Sequence, residues 1–305
     1  MNPGASSRRG LAAAVAAFVM WGLFPLYWKL LAAVPAVEVV AHRMAWGLAA
    51  VAAWVTLRGR WADVRAVASR PRTVARLAGS GALISVNWLL YIWAVIHDRV
   101  VEASLGYFVN PLVNVVLGVL VLHERLNRAQ RIAVALAAAG VALLTAAHGR
   151  LPWIAVALAV SFGLYGLARK TVGADAVVGL LWETALMTPL AAGYLAVLGQ
   201  RGAGAFGASH PATSALLALG GAVTAVPLAL FAQGARALPL STVGFLQYLS
   251  PSLQFLLAVL VFREPFTAVD AATFAFIWAA LAILTWDLRR RLRYESAAAV
   301  PSRRV

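Results

Sequence analysis

The 305 residues are 62% hydrophobic and only 12% charged, with a mean hydropathy of +0.82, whereas a soluble domain carries about 25% charge. A water-facing globule is therefore excluded. A net charge of +15 would point to nucleic acid in a soluble chain. Here the arginines lie between apolar runs, where they act as topology signals, so no nucleic-acid partner is expected. With no cysteine, disulfides, iron–sulfur clusters and thiolate zinc sites are ruled out.

A helix needs about 20 apolar residues to cross the hydrocarbon core. Runs of that kind predict ten spans, at 11–31, 36–57, 74–96, 101–121, 129–147, 151–169, 175–198, 213–235, 239–262 and 267–288. The runs do not alternate apolar and polar residues as a membrane barrel would, so the fold class is an all-α integral membrane protein.

Span 1 follows Arg8 and Arg9 as a signal peptide's core would. Pro25 and Lys29 interrupt it and nine more spans follow, so it reads as a retained helix. Lys29 and Lys170 are the only lysines among 26 cations. One reading is two snorkelling cations at helix ends. The other is a functional role for a compact charge whose pKa shifts readily on burial, with Lys29 the stronger candidate.

In span 2, Glu38, His42 and Trp46 share a helix face and Arg43 sits about 100° further round. Arg43 lies roughly 10 Å below the membrane surface, where an unpaired charge is costly. Asn87 and Trp88 in span 3 are too central for an interfacial belt and favour a lining role, with Tyr91 and Trp93 on the same polar and aromatic stretch. Span 4 carries Glu102, Tyr107, Asn110, Pro111 and Asn114. Pro111 removes the bond to the carbonyl of Tyr107, and Pro251 in span 9 does the same to Gln247. Such freed groups, with Asn110, Asn114, Ser250 and Gln254 at similar depth, are satisfied by neighbouring helices or line a wet cavity. Glu38 and Glu102, near span ends, are read equally well as interfacial. Glu183 in span 7 is the carboxylate deepest in the apolar runs, and so the strongest proton carrier. Gln233 in span 8 is a weaker lining candidate. Spans 5 and 10 carry almost nothing polar and read as scaffold or as a homodimer face of small residues. Residues 199–212 read as a flexible outer loop.

The two halves align. "NPLVNVVLGVLVLHE" (110–124) matches "SPSLQFLLAVLVFRE" (250–264), placing Pro111 on Pro251 and Glu124 on Glu264. "FVMWGLFPLYWK" (18–29) matches "AVSFGLYGLARK" (159–170), placing Lys29 on Lys170, and His42 falls on Glu183. Five spans per copy is odd, so the second copy is inverted, a mark of alternating-access carriers. The expected units are 10–147 and 150–288, followed by a basic tail at 289–305. With the N-terminus inside, twenty cations fall on inner segments, against Arg99, Arg150, Arg201 and Arg263 outside. Both termini are therefore predicted to be cytoplasmic.

No phosphate-binding loop occurs, since Arg169 stands where a Walker motif needs glycine before Lys170 and Thr171. No metal-binding motif or acidic cluster is visible at membrane depth, and no cofactor is expected. A channel filter or charge ring is also missing.

Several segments resemble the RarD branch of the EamA-type permeases, in the drug/metabolite transporter superfamily. They are "AHR" (41–43), "NWLLYIWAV" (87–95), "EASLGYFVNPLVNVVLG" (102–118), "FGLYGLARK" (162–170), "FLQYLSPSLQFLLAV" (245–259) and "TFAFIWAALAI" (273–283). The resemblance implies ten helices in two inverted halves, the bacterial inner membrane and secondary export, and it carries an association with chloramphenicol sensitivity. The expected activity is a gradient-driven carrier of small polar metabolites or drugs, with protons as the coupling ion and a site near the midplane. Lys29 and Arg43 together are expected to attract an anionic group of the substrate. A passive channel is the rival reading and a membrane enzyme a distant third.

Overall fold

The computed structural model describes residues 3–123, 125–238 and 240–298. The helices are α1 (Pro3–Lys29), α2 (Ala36–Leu57), α3 (Trp61–Ala68), α4 (Pro71–Ile96), α5 (Val100–Leu122), α6 (Arg128–His148) and α7 (Trp153–Val172). They continue with α8 (Ala176–Gln200), α9 (Pro211–Ala237), α10 (Leu240–Leu246), α11 (Leu249–Leu256) and α12 (Ala268–Ala298). No strand occurs among the described residues. Ten segments are long and apolar enough to cross a bilayer, and they coincide with the ten predicted runs to within a few residues.

Local chemistry sets the boundaries. Asn127 opens α6 with a reciprocal cap, its side chain accepting from the Gln130 amide at 2.7 Å while the Gln130 side chain accepts from the Asn127 amide at 3.0 Å. The Asp175 carboxylate accepts from the Val177 amide at 3.0 Å and opens α8. Prolines 71 and 211 occupy the first turns of α4 and α9, where the missing N–H costs nothing. Gly149 and Gly173 end α6 and α7 in the left-handed conformation. Asp98, His123 and Arg263 adopt the same conformation without being glycine, each at φ 55°.

The two prolines expected to kink spans 4 and 9 behave differently. Pro111 sits inside the continuous helix α5. In span 9 the helix breaks at Gln247 and Tyr248, so Pro251 falls in the first turn of α11, where its ring obstructs no hydrogen bond. A π-helical turn at Leu257–Val261 completes the span. The gap after span 2 holds a short amphipathic helix, α3, that the apolar-run reading misses. The predicted tail continues as helix to Ala298. Its last residues, 299–305, lie outside the described residues, as does Glu124.

The helices pack in a definite pattern. α1 lies against α9 and α11, α7 against α4 and α5, α2 against α8 and α9, α4 against α8, and α6 against α12. One end of the bundle, the Lys29 end, gathers the residue 30–35 turn, Asp98, Pro152, the 201–210 loop and Glu264. The other, the Arg60 end, gathers α3, Asn127 and Asp175. Gly140 of α6 meets Phe276 and the Thr273 carbonyl of α12, so this part of the expected dimer face is already covered within the chain. Ile132, Trp278 and Trp286 stay exposed on the same two helices.

Candidate functional site

Two buried charges organise the interior, and α2 and α8 carry one each. Arg43 is 4% exposed. Its Nε donates to Thr224 Oγ1 at 3.0 Å, and that hydroxyl donates onward to the Gly220 carbonyl at 2.8 Å. The guanidinium lies 3.8 Å from the ring centre of Trp88 and 5.2 Å from that of Trp28, in a cation–π geometry. Nη1 has no hydrogen-bond partner. The hydroxyls of Tyr27, Tyr91 and Tyr107 lie within electrostatic reach. Tyr107 donates to Asn87 Oδ1 at 3.3 Å, and the Asn87 amide donates to the Leu158 carbonyl and Ser161 Oγ. Four of the predicted residues, Arg43, Asn87, Trp88 and Tyr107, thus fall in one group.

Close backbone approach makes the group possible. A Cβ at Gly221 would lie 2.4 Å from the Trp46 carbonyl oxygen, so only glycine lets α9 come near enough to α2 for Thr224 to reach Arg43. Nothing in the sequence periodicity marks Thr224.

Glu183 is 1% exposed and sits nearer the Arg60 end. Ser80 Oγ donates to its Oε1 at 2.6 Å and the Tyr165 hydroxyl to its Oε2 at 3.4 Å. Arg169 Nη1 lies 3.6 Å from Oε1, close enough for an ion pair and too far for a hydrogen bond. The guanidinium rests on bare backbone at Gly179, where a Cβ would come within 1.9 Å of Nη1. Arg169, one of the inner topology charges by sequence, thus also serves a buried acid, and nothing in the sequence marks Ser80 or Tyr165. The spacing between Glu183 and these partners is not local, so no motif could have linked them.

The remaining candidates lie apart. Lys29 pairs with Asp98 and lies 5.4 Å from the Phe262 ring, so it shares no partner with Arg43 and the two cations do not form one site. Glu102 pairs with Arg99 and accepts from the Ile154 amide at 3.0 Å, which ties it to the start of α7. Glu38 is buried, correcting the interfacial reading, because its carboxylate accepts from the Ala205 amide at 2.6 Å. Through that bond, and through His42 stacked 4.9 Å from Phe206, the 199–212 loop is pinned to α2. Asn114 Nδ2 donates to Asn110 Oδ1 at 3.0 Å, and Asn110 Nδ2 has no partner. Gln254 Nε2 donates to the Trp21 carbonyl at 3.2 Å, and Ser250 Oγ to that of Phe18 at 2.7 Å. Gln247 lies at the break before α11.

Glu264 accepts from the amides of Val100 and Val101 at 2.7 and 2.8 Å. Burial raises its pKa above the ordinary value, against the lowering pull of those amides and of Lys29. A cavity of about 630 Å3 opens nearby, lined by Pro35, Leu89, Trp93, His97 and Trp153. Among the described residues no group of three metal-ligating side chains occurs.

The EamA-like transporter family pattern matches residues 8–146. Protein RarD of Streptomyces exfoliatus is 47% identical over 296 residues, covering 95% of this chain and 94% of that protein. The chain belongs to the RarD branch of the EamA-like transporter family. The uncharacterized transporter YojE of Bacillus subtilis is 43% identical, covering 93% of this chain and 95% of its own length. A Pseudomonas aeruginosa relative named chloramphenicol-sensitive protein RarD is 34% identical over 95% of this chain and 98% of its own. A solved protein structure superposes with a TM-score of 0.58 at 24% identity, over 95% of this chain and 99% of that one, a likeness of fold. Ten apolar helices and bacterial transporter relatives together make this permease a multi-pass protein of the bacterial inner membrane.

Proposed function

We propose that this permease is a secondary active exporter of small polar metabolites or drugs, coupled to protons and working by alternating access between two inverted five-helix halves, 10–147 and 150–288. The observation that carries the reading is Glu183, a carboxylate buried at membrane depth and held by Ser80, Tyr165 and Arg169. An intramembrane acid facing other helices is costly, and is kept where it moves a proton or an ion. The packing supports the two-halves reading. Exchanging each span with the one five further on turns the α1–α9 contact into α7–α4 and the α5–α7 contact into α11–α1, while α2–α8 and α6–α12 map onto themselves.

In this reading Arg43, Asn87, Trp88 and Tyr107 form the substrate wall. Asn110, Asn114, Gln247 and Gln254 supply polar groups beside Pro111, within α5, and beside the helix break before Pro251. Lys29, His42 and Glu102 serve the closure at the Lys29 end, which faces the periplasm, and both termini are cytoplasmic.

Proteoliposomes test this. Substrate on the far side should speed uptake, since a carrier exchanges and a channel does not, and an imposed pH gradient should drive accumulation. Glu183→Gln should lower gradient-driven transport by about 100-fold, the scale of a lost proton-transfer group, while exchange continues. A normal pH response in that variant overturns the coupling role. Absence of exchange across a broad metabolite panel favours the passive channel.

A further inference from the structure

The Arg43 group has more donors than acceptors. Three buried atoms around it have no hydrogen-bond partner: Arg43 Nη1, Trp28 Nε1 and the Tyr91 hydroxyl. The first two can only donate, and a phenol donates readily to an anion. Leaving them unpaired is expensive, because an unsatisfied buried donor costs roughly 1–3 kcal/mol and a charged one more. The acids that could compensate are held elsewhere. Glu38 is bound to the Ala205 amide, Asp98 to Lys29, Glu102 to Arg99 and the Ile154 amide, Glu183 to Ser80 and Arg169, and Glu264 to the Val100 and Val101 amides.

We infer that the Arg43 group is a binding site for a singly charged organic carboxylate with an apolar body. One guanidinium balances one negative charge. The other cations beside these acids are committed, Lys29 to Asp98, Arg99 to Glu102 and Arg169 to Glu183, so a phosphate or a dicarboxylate would bring a second charge that nothing here neutralises. Carboxylate oxygens accept from a guanidinium in charge-assisted bonds, and Tyr91 and Trp28 can each supply one more donor. The surroundings are Phe24, Trp28, Met44 and Trp88 of the central core, which suit a hydrocarbon or aryl body, and the Arg43 charge repels an ammonium. Aromatic rings cover the buried donors, and the Tyr27 hydroxyl bonds the Leu216 carbonyl of α9 beside them. Entry therefore requires α1 and α9 to part. Calling the bound carboxylate cargo rests on the carrier reading; its binding does not.

Benzoate is the probe, benzamide its uncharged isostere and inorganic phosphate the control for a bare anion. Titrated into purified protein in detergent, benzoate should quench tryptophan fluorescence saturably and raise the thermal midpoint. Benzamide and phosphate should bind at least about 10-fold more weakly, the loss expected for one charge-assisted contact. Tyr91→Phe keeps the ring and removes one donor, so benzoate affinity should fall several-fold with the thermal midpoint of the empty protein preserved. Arg43→Gln should make benzoate and benzamide equivalent. Equal binding of the two by the unaltered protein, or no saturable binding of benzoate, phenylacetate or hexanoate, overturns the inference. Arg43-dependent binding without exchange in proteoliposomes would keep the site and remove the carrier reading, while exchange of other solutes without carboxylate binding would do the reverse.

Discussion

Arg43 and Glu183 are both almost wholly buried at similar distances from the start of their helices, α2 and α8, yet their surroundings differ in kind. Glu183 has two hydroxyl donors and a guanidinium within 3.6 Å. Arg43 has one threonine hydroxyl, three aromatic faces and no acid. A charge supplied with partners is electrostatically satisfied in place, and removing it leaves those partners stranded. A charge without a counter-charge is an unfinished one. The fold tolerates it at a cost, and what completes it comes from outside the chain.

The contrast predicts stability changes of opposite sign. Glu183→Met strips the partly buried Arg169 guanidinium of its acid and leaves it only the Asp175 carbonyl, so unfolding in detergent and denaturant should become easier by up to about 3–5 kcal/mol. Arg43→Met replaces an unpaired cation by an apolar chain in an aromatic core, and should stabilise the empty protein by about 1–4 kcal/mol while abolishing benzoate binding. Equal destabilisation by both substitutions would erase the distinction. Gly179→Ala sharpens it from a distance. The new methyl displaces the Arg169 guanidinium, so stability should drop by about 1–3 kcal/mol and gradient-driven transport should fall between the unaltered protein and Glu183→Gln.

The smallest effect concerns the surface pair beside these helices. Asp175 caps α8 and pairs with Arg60 at 3.0 Å. Burial pushes its pKa up, but the bonds from Arg60 and the Val177 amide outweigh that and hold it below the ordinary value. A lowered carboxylate pKa stabilises the fold above the unfolded value, and that contribution is lost as pH falls through the folded value. Asp175→Asn should therefore cost up to about 1 kcal/mol at neutral pH, discounted for its exposure, and nothing below the lowered pKa. Paired thermal melts at the two pH values check this.

The membrane class and the ten spans were legible because length and hydropathy are local properties. The buried depth of Arg43 and Glu183 was legible for the same reason. Their partners were not. Thr224 is 181 residues from Arg43 and Ser80 is 103 from Glu183, and each approach depends on a glycine that no periodicity reveals, Gly221 against the Trp46 carbonyl and Gly81 against the Glu183 backbone. The partner of Lys29 was not legible either: Asp98, left-handed at the turn after α4, meets it across 69 residues. Glu38 and the 199–212 loop hold each other in a way no local pattern shows. A glycine-rich stretch looks free until a buried carboxylate bonds one of its amides.

His123 and Arg263, left-handed at φ 55° without being glycine, have a consequence for engineering. In that conformation an L-residue's β-carbon crowds its own carbonyl, at a cost of about 1–2 kcal/mol that glycine does not carry. Neither residue belongs to the Arg43 or the Glu183 group. His123→Gly and Arg263→Gly therefore offer a sturdier scaffold for purification and crystallisation with both interior charges intact. Asp98 shares the conformation but holds Lys29, and is best left as it is.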